Sequence, residues 1–126
     1  MVTDMEILVV DDEPMILSML TGVLAGEGYR VTSAVSGADA IARLASNDHR
    51  IGLLVTDVNL GEGVDGLEVA AALHRRDSAI GTIFMTGDPP RQHRDRAPAG
   101  AVFLEKPFLP FELVDAVRRL RQPEAA

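Results

Sequence analysis

Short apolar runs alternate along the chain with longer stretches in which apolar residues recur at helical spacing. The short runs are rich in bulky and β-branched residues and show little polar alternation, which predicts strands covered on both faces, as in a parallel sheet. Five strands are predicted, over Ile7–Val10, Arg30–Ala34, Ile51–Thr56, Thr82–Met85 and Ala101–Leu104. Because helices separate these strands, the pattern predicts right-handed crossovers and a single doubly wound α/β domain.

Five helices are predicted between and after the strands. The first spans Pro14–Ala25, where proline suits the first turn and Gly26 can end the helix. The second begins at Ser36, with Asp39 three residues later, a spacing close to that of a capping box. The other three are predicted around Leu67–Leu73, between Pro90 and Pro98, and over Pro110–Arg121. The prolines at both ends of the fourth predict a short or irregular helix there.

The composition restricts the class of protein. A length of 126 residues suits one domain, and the apolar fraction of 47% includes no run long enough to span a bilayer. The chain has no cysteine, which excludes disulfides and cysteine-bound zinc, and its net charge of −7 argues against sequence-independent nucleic-acid binding. No secretory leader is recognisable. We therefore expect a cytoplasmic protein without membrane insertion or direct contact with nucleic acid.

Polar side chains follow four of the five predicted strands. Asp11 and Asp12 follow the first strand, Asp57 the third and Thr86 the fourth, and the only lysine, Lys106, comes two residues after the fifth. Each aspartate alone could be a helix cap or a turn residue. As a set they should converge, because the carboxyl ends of parallel strands share one edge of the sheet.

This convergence predicts a particular chemistry. Clustered carboxylates repel one another and recruit a cation, and a set of oxygen ligands suits Mg²⁺. We expect Asp57 to accept a phosphoryl group as an acyl phosphate, while Lys106 and Thr86 bind the phosphoryl oxygens.

Four motifs, VVDDEP, VTDVNL, MTGD and EKPF, occur in this order along the chain. Their order and separations resemble the receiver domain of two-component response regulators, over roughly residues 5 to 122 of the 126. The resemblance implies the flavodoxin-like strand order 2-1-3-4-5. It also implies phosphotransfer to Asp57 from a histidine kinase or a histidine phosphotransfer protein. Mg²⁺ would be bound by Asp11 or Asp12, by Asp57 and by the backbone carbonyl of Asn59.

The resemblance further implies a conformational switch. Thr86 matches the hydroxyl residue that moves toward the phosphoryl group, and Phe103 matches the aromatic residue whose rotamer follows it. Taken alone, Phe103 could equally be a core strand residue. The switch would remodel the face formed by the fourth helix, fifth strand and fifth helix for a downstream protein partner. A cis peptide between Lys106 and Pro107 is implied as well, and the protein would be a phosphoacceptor rather than an enzyme with separate substrate turnover.

Two departures from the family pattern stand out. Gly61 occupies a position where the family usually has proline, in a loop one residue longer than the common one, so we expect a more mobile loop. Pro89 and Pro90 shorten the fourth helix and leave an arginine-bearing segment on the usual output face. These arginines, near residues 91–96, and those near 118–121 are expected either to be solvated or to meet an acidic partner surface.

We expect no output domain and a stand-alone receiver, although a domain excised from a longer protein would have the same sequence. The main alternative is a phosphorylation-independent pseudo-receiver that keeps the fold as an interaction module, against which the intact acids, Thr86 and Lys106 argue. A haloacid-dehalogenase-like phosphatase would need an acid at Asn59. A flavin or nucleotide module would need a phosphate-binding loop where three acidic residues follow the first strand.

Overall fold

A computed structural model of the chain describes residues 6–46 and 50–121. The predicted limits of the core, residues 5 and 122, lie outside them. The strands are β1 (Glu6–Val10), β2 (Arg30–Ala34), β3 (Ile51–Asp57), β4 (Gly81–Thr86) and β5 (Val102–Glu105), and the helices are α1 (Pro14–Gly26), α2 (Gly37–Ala45), α3 (Gly66–Arg76) and α4 (Pro110–Arg121). None of the helices in these residues is long and apolar enough to cross a membrane.

All five strands are parallel and form one sheet in the order β2-β1-β3-β4-β5, so the flavodoxin-like order is confirmed. Successive residues of a strand point to opposite faces of the sheet. In β1, Ile7 and Val9 pack with the residues of α1 and α4, whereas Leu8 and Val10 pack with those of α2 and α3. An unbroken apolar run therefore supplies both core layers, as the sequence predicted.

Local signals fix where the helices begin. Pro14 is the first residue of α1, and Ser36 is the N-cap of α2, where its hydroxyl accepts a hydrogen bond from the Asp39 N–H at 3.0 Å. At α3, Asp65 and Glu68 form a capping box in which each side chain accepts from the backbone N–H of the other. This D-x-x-E pattern is readable in the sequence and is a signal for the start of α3 that the prediction missed.

The helix predicted between β4 and β5, the fourth along the chain, is not an α-helix. The chain there forms two 3₁₀ turns, Pro90–Gln92 and Arg94–Arg96, which we call the 3₁₀ segment. The residue before a proline is disfavoured in the helical conformation, and Pro89, with ψ of 134°, is extended. The expected irregularity is present, but the described residues contain four α-helices rather than five.

Two glycines allow close contact between helix starts and neighbouring backbone. A Cβ on Gly66 would lie 2.1 Å from the carbonyl oxygen of Asp57, and one on Gly37 would lie 2.2 Å from that of Val64. Real Cβ atoms do not approach a carbonyl oxygen so closely, and the Asp57 carbonyl cannot move without displacing the end of β3. Gly66 therefore allows α3 to begin directly against the end of that strand.

Replacing Gly66 with alanine is expected to destabilise the protein by about 1–3 kcal/mol, because the new methyl group would overlap strand backbone. Gly22, inside α1, is the matched control, since nothing lies within 4 Å of its Cβ position. Gly22→Ala should stabilise the protein by up to about 1 kcal/mol through helix propensity. Urea unfolding followed by circular dichroism measures both, and effects of the same sign would contradict the close contact at Gly66.

Candidate functional site

Three carboxylates lie together at the carboxyl edge of the sheet. Asp11 directly follows β1 with Asp12 beside it, and Asp57 is the last residue of β3. One oxygen from each lies within 4.8 Å of the other two. Asp11 and Asp57 are only 1% and 7% exposed, whereas Asp12 is exposed. The structure thus brings together the acids that the sequence placed after separate strands.

Backbone N–H groups orient the two buried carboxylates. The N–H of Glu13 donates to Asp11 Oδ1 at 2.9 Å, and the N–H of Asn59 donates to Asp57 Oδ1 at 3.1 Å. Each bond joins an aspartate to the residue two positions later, as in an Asx turn. In both residues the second oxygen, Oδ2, takes no part in this turn.

Lys106 compensates part of the negative charge. Its Nζ donates a charge-assisted hydrogen bond to Asp57 Oδ2 at 2.5 Å, and the implied cis peptide to Pro107 is confirmed. Burial lowers the pKa of Lys106, but the hydrogen bond to Asp57 and the negative charges of Asp57, Asp11 and Glu13 outweigh burial and raise that pKa above its ordinary value. The lysine is therefore held as an ammonium ion against the buried carboxylate.

Asp11 is compensated less, because among the described residues no cationic side chain forms an ion pair with it. Burial raises the pKa of its carboxyl above the ordinary value, the Glu13 N–H opposes this, the charge of Asp57 adds to it, and the charge of Lys106 lowers it. Asp11 Oδ2 is buried and has no hydrogen-bond partner among the described residues. An unpartnered carboxylate oxygen inside a cluster of oxygen donors fits a hard divalent cation such as Mg²⁺. Asp11, Asp12 and Asp57 would hold it.

Thr86, the last residue of β4, is almost fully buried. Its hydroxyl accepts a hydrogen bond from the Asp88 N–H at 2.9 Å and donates to the Asp88 carbonyl at 3.3 Å. Its own carbonyl accepts from the Lys106 N–H at 2.8 Å. The structure therefore places Thr86 beside the lysine, with its hydroxyl engaged by the segment that follows β4.

Phe103 lies on β5, paired in register with Phe84 of β4. The two rings stack with centroids 5.3 Å apart and planes at 29°. Two neighbouring contacts were not predicted. The guanidinium carbon of Arg94 lies 5.3 Å from the centroid of the Phe103 ring, and Arg96 forms an ion pair with Asp65 at 3.2 Å. The sequence showed these arginines only as surface charge, because their partners depend on the 3₁₀ segment.

The loop after Asp57 explains one departure from the family pattern. Gly61 and Gly63 have φ of +79° and +89°, which residues with a side chain rarely adopt. Proline, whose φ is fixed near −65°, cannot take the conformation of Gly61. The Gly61 N–H donates to the Asn59 side chain at 3.2 Å, so this loop continues the turn that begins at Asp57.

Comparisons with known sequences match nearly the whole chain. The sequence model of the response regulator receiver domain matches residues 7–118. The DNA-binding response regulator MtrA of Mycolicibacterium smegmatis is 38% identical over 121 residues, which cover 94% of this chain and 51% of MtrA. The phyllosphere-induced regulator PhyR of Methylorubrum extorquens is 31% identical over 105 residues, which cover 83% of this chain and 39% of PhyR. The chain spans about half or less of the length of these curated relatives.

Solved structures share the same fold. A response regulator receiver protein from Sinorhizobium medicae is similar with a TM-score of 0.88 and 30% identity, covering 96% of this chain and 97% of that one. The response regulator TrrA from Thermotoga maritima, solved in complex with Mg²⁺ and BeF, is similar with a TM-score of 0.75 and 30% identity, covering 92% and 98%.

Asp11→Asn is expected to raise the melting temperature at neutral pH without divalent cations, by about 2–5 °C. The raised pKa means that the folded state binds the Asp11 proton more tightly than the unfolded chain does. Stability therefore falls as pH rises from the ordinary value of 3.8 through the folded pKa. Asparagine cannot ionise, so its advantage should be absent below this window and complete above it.

Differential scanning calorimetry across the pH range measures this advantage. Asp12→Asn is the matched control, because it removes a neighbouring carboxylate that is exposed. A smaller gain in melting temperature is expected for Asp12→Asn. An Asp11→Asn variant that is no more stable than the wild type at neutral pH would show that burial of this carboxylate costs the folded state nothing.

Proposed function

This chain belongs to the response regulator receiver domain family, and on that premise we propose that Asp57 accepts a phosphoryl group from a histidine kinase or a histidine phosphotransfer protein. Receiver domains are signalling domains of two-component systems, not metabolic enzymes. The observation that carries the proposal is the buried Asp57 carboxylate, bound by Lys106 at 2.5 Å and adjacent to Asp11. Such a site combines an anionic nucleophile with a fixed cationic hydrogen-bond donor.

The proposed reaction is an in-line displacement at phosphorus. A carboxylate oxygen of Asp57 forms a bond to phosphorus while the bond from phosphorus to the donor's imidazole nitrogen breaks, and the electron pair leaves on that nitrogen. Lys106 moves its hydrogen bond to a phosphoryl oxygen, and Thr86 donates its hydroxyl hydrogen to another. Hydrolysis of the acyl phosphate returns the carboxylate, so no separate substrate is turned over.

We propose Mg²⁺ as the cofactor, with Asp11, Asp12, Asp57 and the backbone carbonyl of Asn59 as ligands. When bound, Mg²⁺ would neutralise charge between the carboxylates and the incoming phosphoryl oxygens. Three observations support this assignment. One oxygen from each carboxylate lies within 4.8 Å of the other two, Asp11 Oδ2 has no hydrogen-bond partner in the described part of the chain, and the related TrrA was solved with Mg²⁺ and BeF.

The phosphorylated state would act on a downstream protein partner. Thr86 joins the site to the segment after β4, and Phe103 lies on the neighbouring strand β5, so movement of the Thr86 hydroxyl would change this part of the surface. A cytoplasmic location is part of the proposal, because the kinases that donate the phosphoryl group draw it from ATP.

Incubation with Mg²⁺ and a small acyl phosphate is expected to add the mass of one phosphoryl group to the wild type and none to Asp57→Asn. Intact-protein mass spectrometry measures this. Asp77→Asn is the matched control, because it makes the same change at an exposed aspartate at the C-terminal end of α3, where the side-chain carboxylate accepts a hydrogen bond from the Ala79 N–H. Equal incorporation in the wild type and Asp57→Asn would rule out Asp57 as the acceptor. No incorporation in either, with no beryllofluoride binding, would favour the pseudo-receiver.

Lys106→Met is expected to slow phosphorylation on the order of 10²-fold, because it removes the donor aimed at the developing charge. Lys106→Arg should recover part of the rate, since it keeps the positive charge but not the single-point geometry of the ammonium. Initial rates from quenched mass measurements report both effects. If Lys106→Met is phosphorylated as fast as the wild type, Lys106 has no role in the mechanism.

A further inference from the structure

The ring of Phe103 is held between the core and an exposed cation. On the core side it stacks on Phe84, which is fully buried. Arg94, which is exposed, places its guanidinium carbon 5.3 Å from the ring centroid. This distance is within the range of a cation–π interaction, in which the ring face attracts the positive charge. Arg94 is thus the surface contact of the residue whose rotamer the switch requires.

The 3₁₀ turn that presents Arg94 is attached to the phosphoacceptor side of the molecule. Arg96, two residues on, pairs with Asp65 at 3.2 Å. Asp65 is the N-cap of α3, and the next residue, Gly66, lies against the carbonyl of Asp57. A single exposed ion pair contributes little stability, but here it restricts where the turn can lie.

The chain that leads into the 3₁₀ segment is attached to Thr86. The Thr86 hydroxyl accepts a hydrogen bond from the Asp88 N–H and donates one to the Asp88 carbonyl. A hydroxyl has one hydrogen to donate. If Thr86 donates to a phosphoryl oxygen on Asp57, it must give up the hydrogen bond to the Asp88 carbonyl, which weakens the attachment of the chain that leads into the 3₁₀ segment.

We propose that Arg94 is a positioning residue that holds Phe103 against Phe84 in the unphosphorylated protein, and that loss of the Thr86 hydrogen bond to the Asp88 carbonyl loosens this contact. The inference rests on the proposed function, since it supplies the link between Asp57 and the surface. A cation–π contact at an exposed site changes the ratio of the two ring positions by about two- to fivefold. Loss of the contact should therefore populate the switched ring position without phosphorylation.

Fluorine NMR of protein labelled with fluorophenylalanine tests the contact directly. The chain has four phenylalanines, so four resonances are expected, and Phe103→Leu assigns the one of interest. Arg94→Gln should shift the Phe103 resonance toward the position that the wild type reaches with Mg²⁺ and beryllofluoride. Arg94→Lys should stay close to the wild type, because an ammonium also binds the ring face.

Arg91→Gln is the matched control. It removes the same charge from the same 3₁₀ segment, but among the described residues Arg91 has no ion pair or ring contact. Its Phe103 resonance should equal that of the wild type. If Arg94→Gln and Arg91→Gln give the same resonance, Arg94 does not position the ring.

Beryllofluoride affinity gives a second readout. A larger population of the switched state raises apparent affinity in proportion, so Arg94→Gln should bind beryllofluoride about two- to fivefold more tightly than Arg91→Gln. Equal affinities would mean that the contact is not coupled to Asp57. The resonance comparison needs no phosphodonor, so a protein that fails to be phosphorylated would refute the proposed function while the test of the Arg94 contact remained valid.

Discussion

The mutual repulsion of buried carboxylates at the edge of the sheet is the constraint on which the site depends. β1 and β3 are neighbours, and Val10 pairs with Thr56, so Asp11 and Asp57 follow at adjacent positions. Bringing two acids out of water side by side raises the cost of charging either one. The positive charge of Lys106 offsets part of this cost at Asp57, but Asp11 has a buried oxygen without a partner among the described residues. Because the negative charge of this site is only partly neutralised, the site favours binding of a cation.

This arrangement sets stability against function. The Asp11 oxygen that has no partner among the described residues is unfavourable for the stability of the folded state. The close contact at Gly66 leaves no space for a side chain at that position. Both features occur where strand ends meet the loops that carry the chemistry. Elsewhere the sheet is covered by apolar layers on both faces. The fold therefore supplies the stability that the site does not.

The sequence was sufficient to predict the α/β class, the strands and the convergence of Asp11, Asp57 and Lys106, because strand direction alone determines which residues reach the edge. Strand order came from the family resemblance, since hydrophobic periodicity does not specify which strands are neighbours. The 3₁₀ segment was harder to predict from the sequence. Its prolines showed that a regular helix would fail, but not what would replace it. The contact of Arg94 with Phe103 follows from that replacement, so no pattern of charges could have revealed it.

The close packing at Gly66 affects which side of the Asp57 site can move. The first turn of α3 lies so close to the Asp57 carbonyl that this flank has no space into which it could yield. On the opposite side lies Thr86, whose hydroxyl is held only by two hydrogen bonds to the backbone of Asp88 among the described residues. The two sides of Asp57 thus differ in how easily they can move. If Asp57 is phosphorylated as proposed, the Thr86 side would move rather than the α3 side.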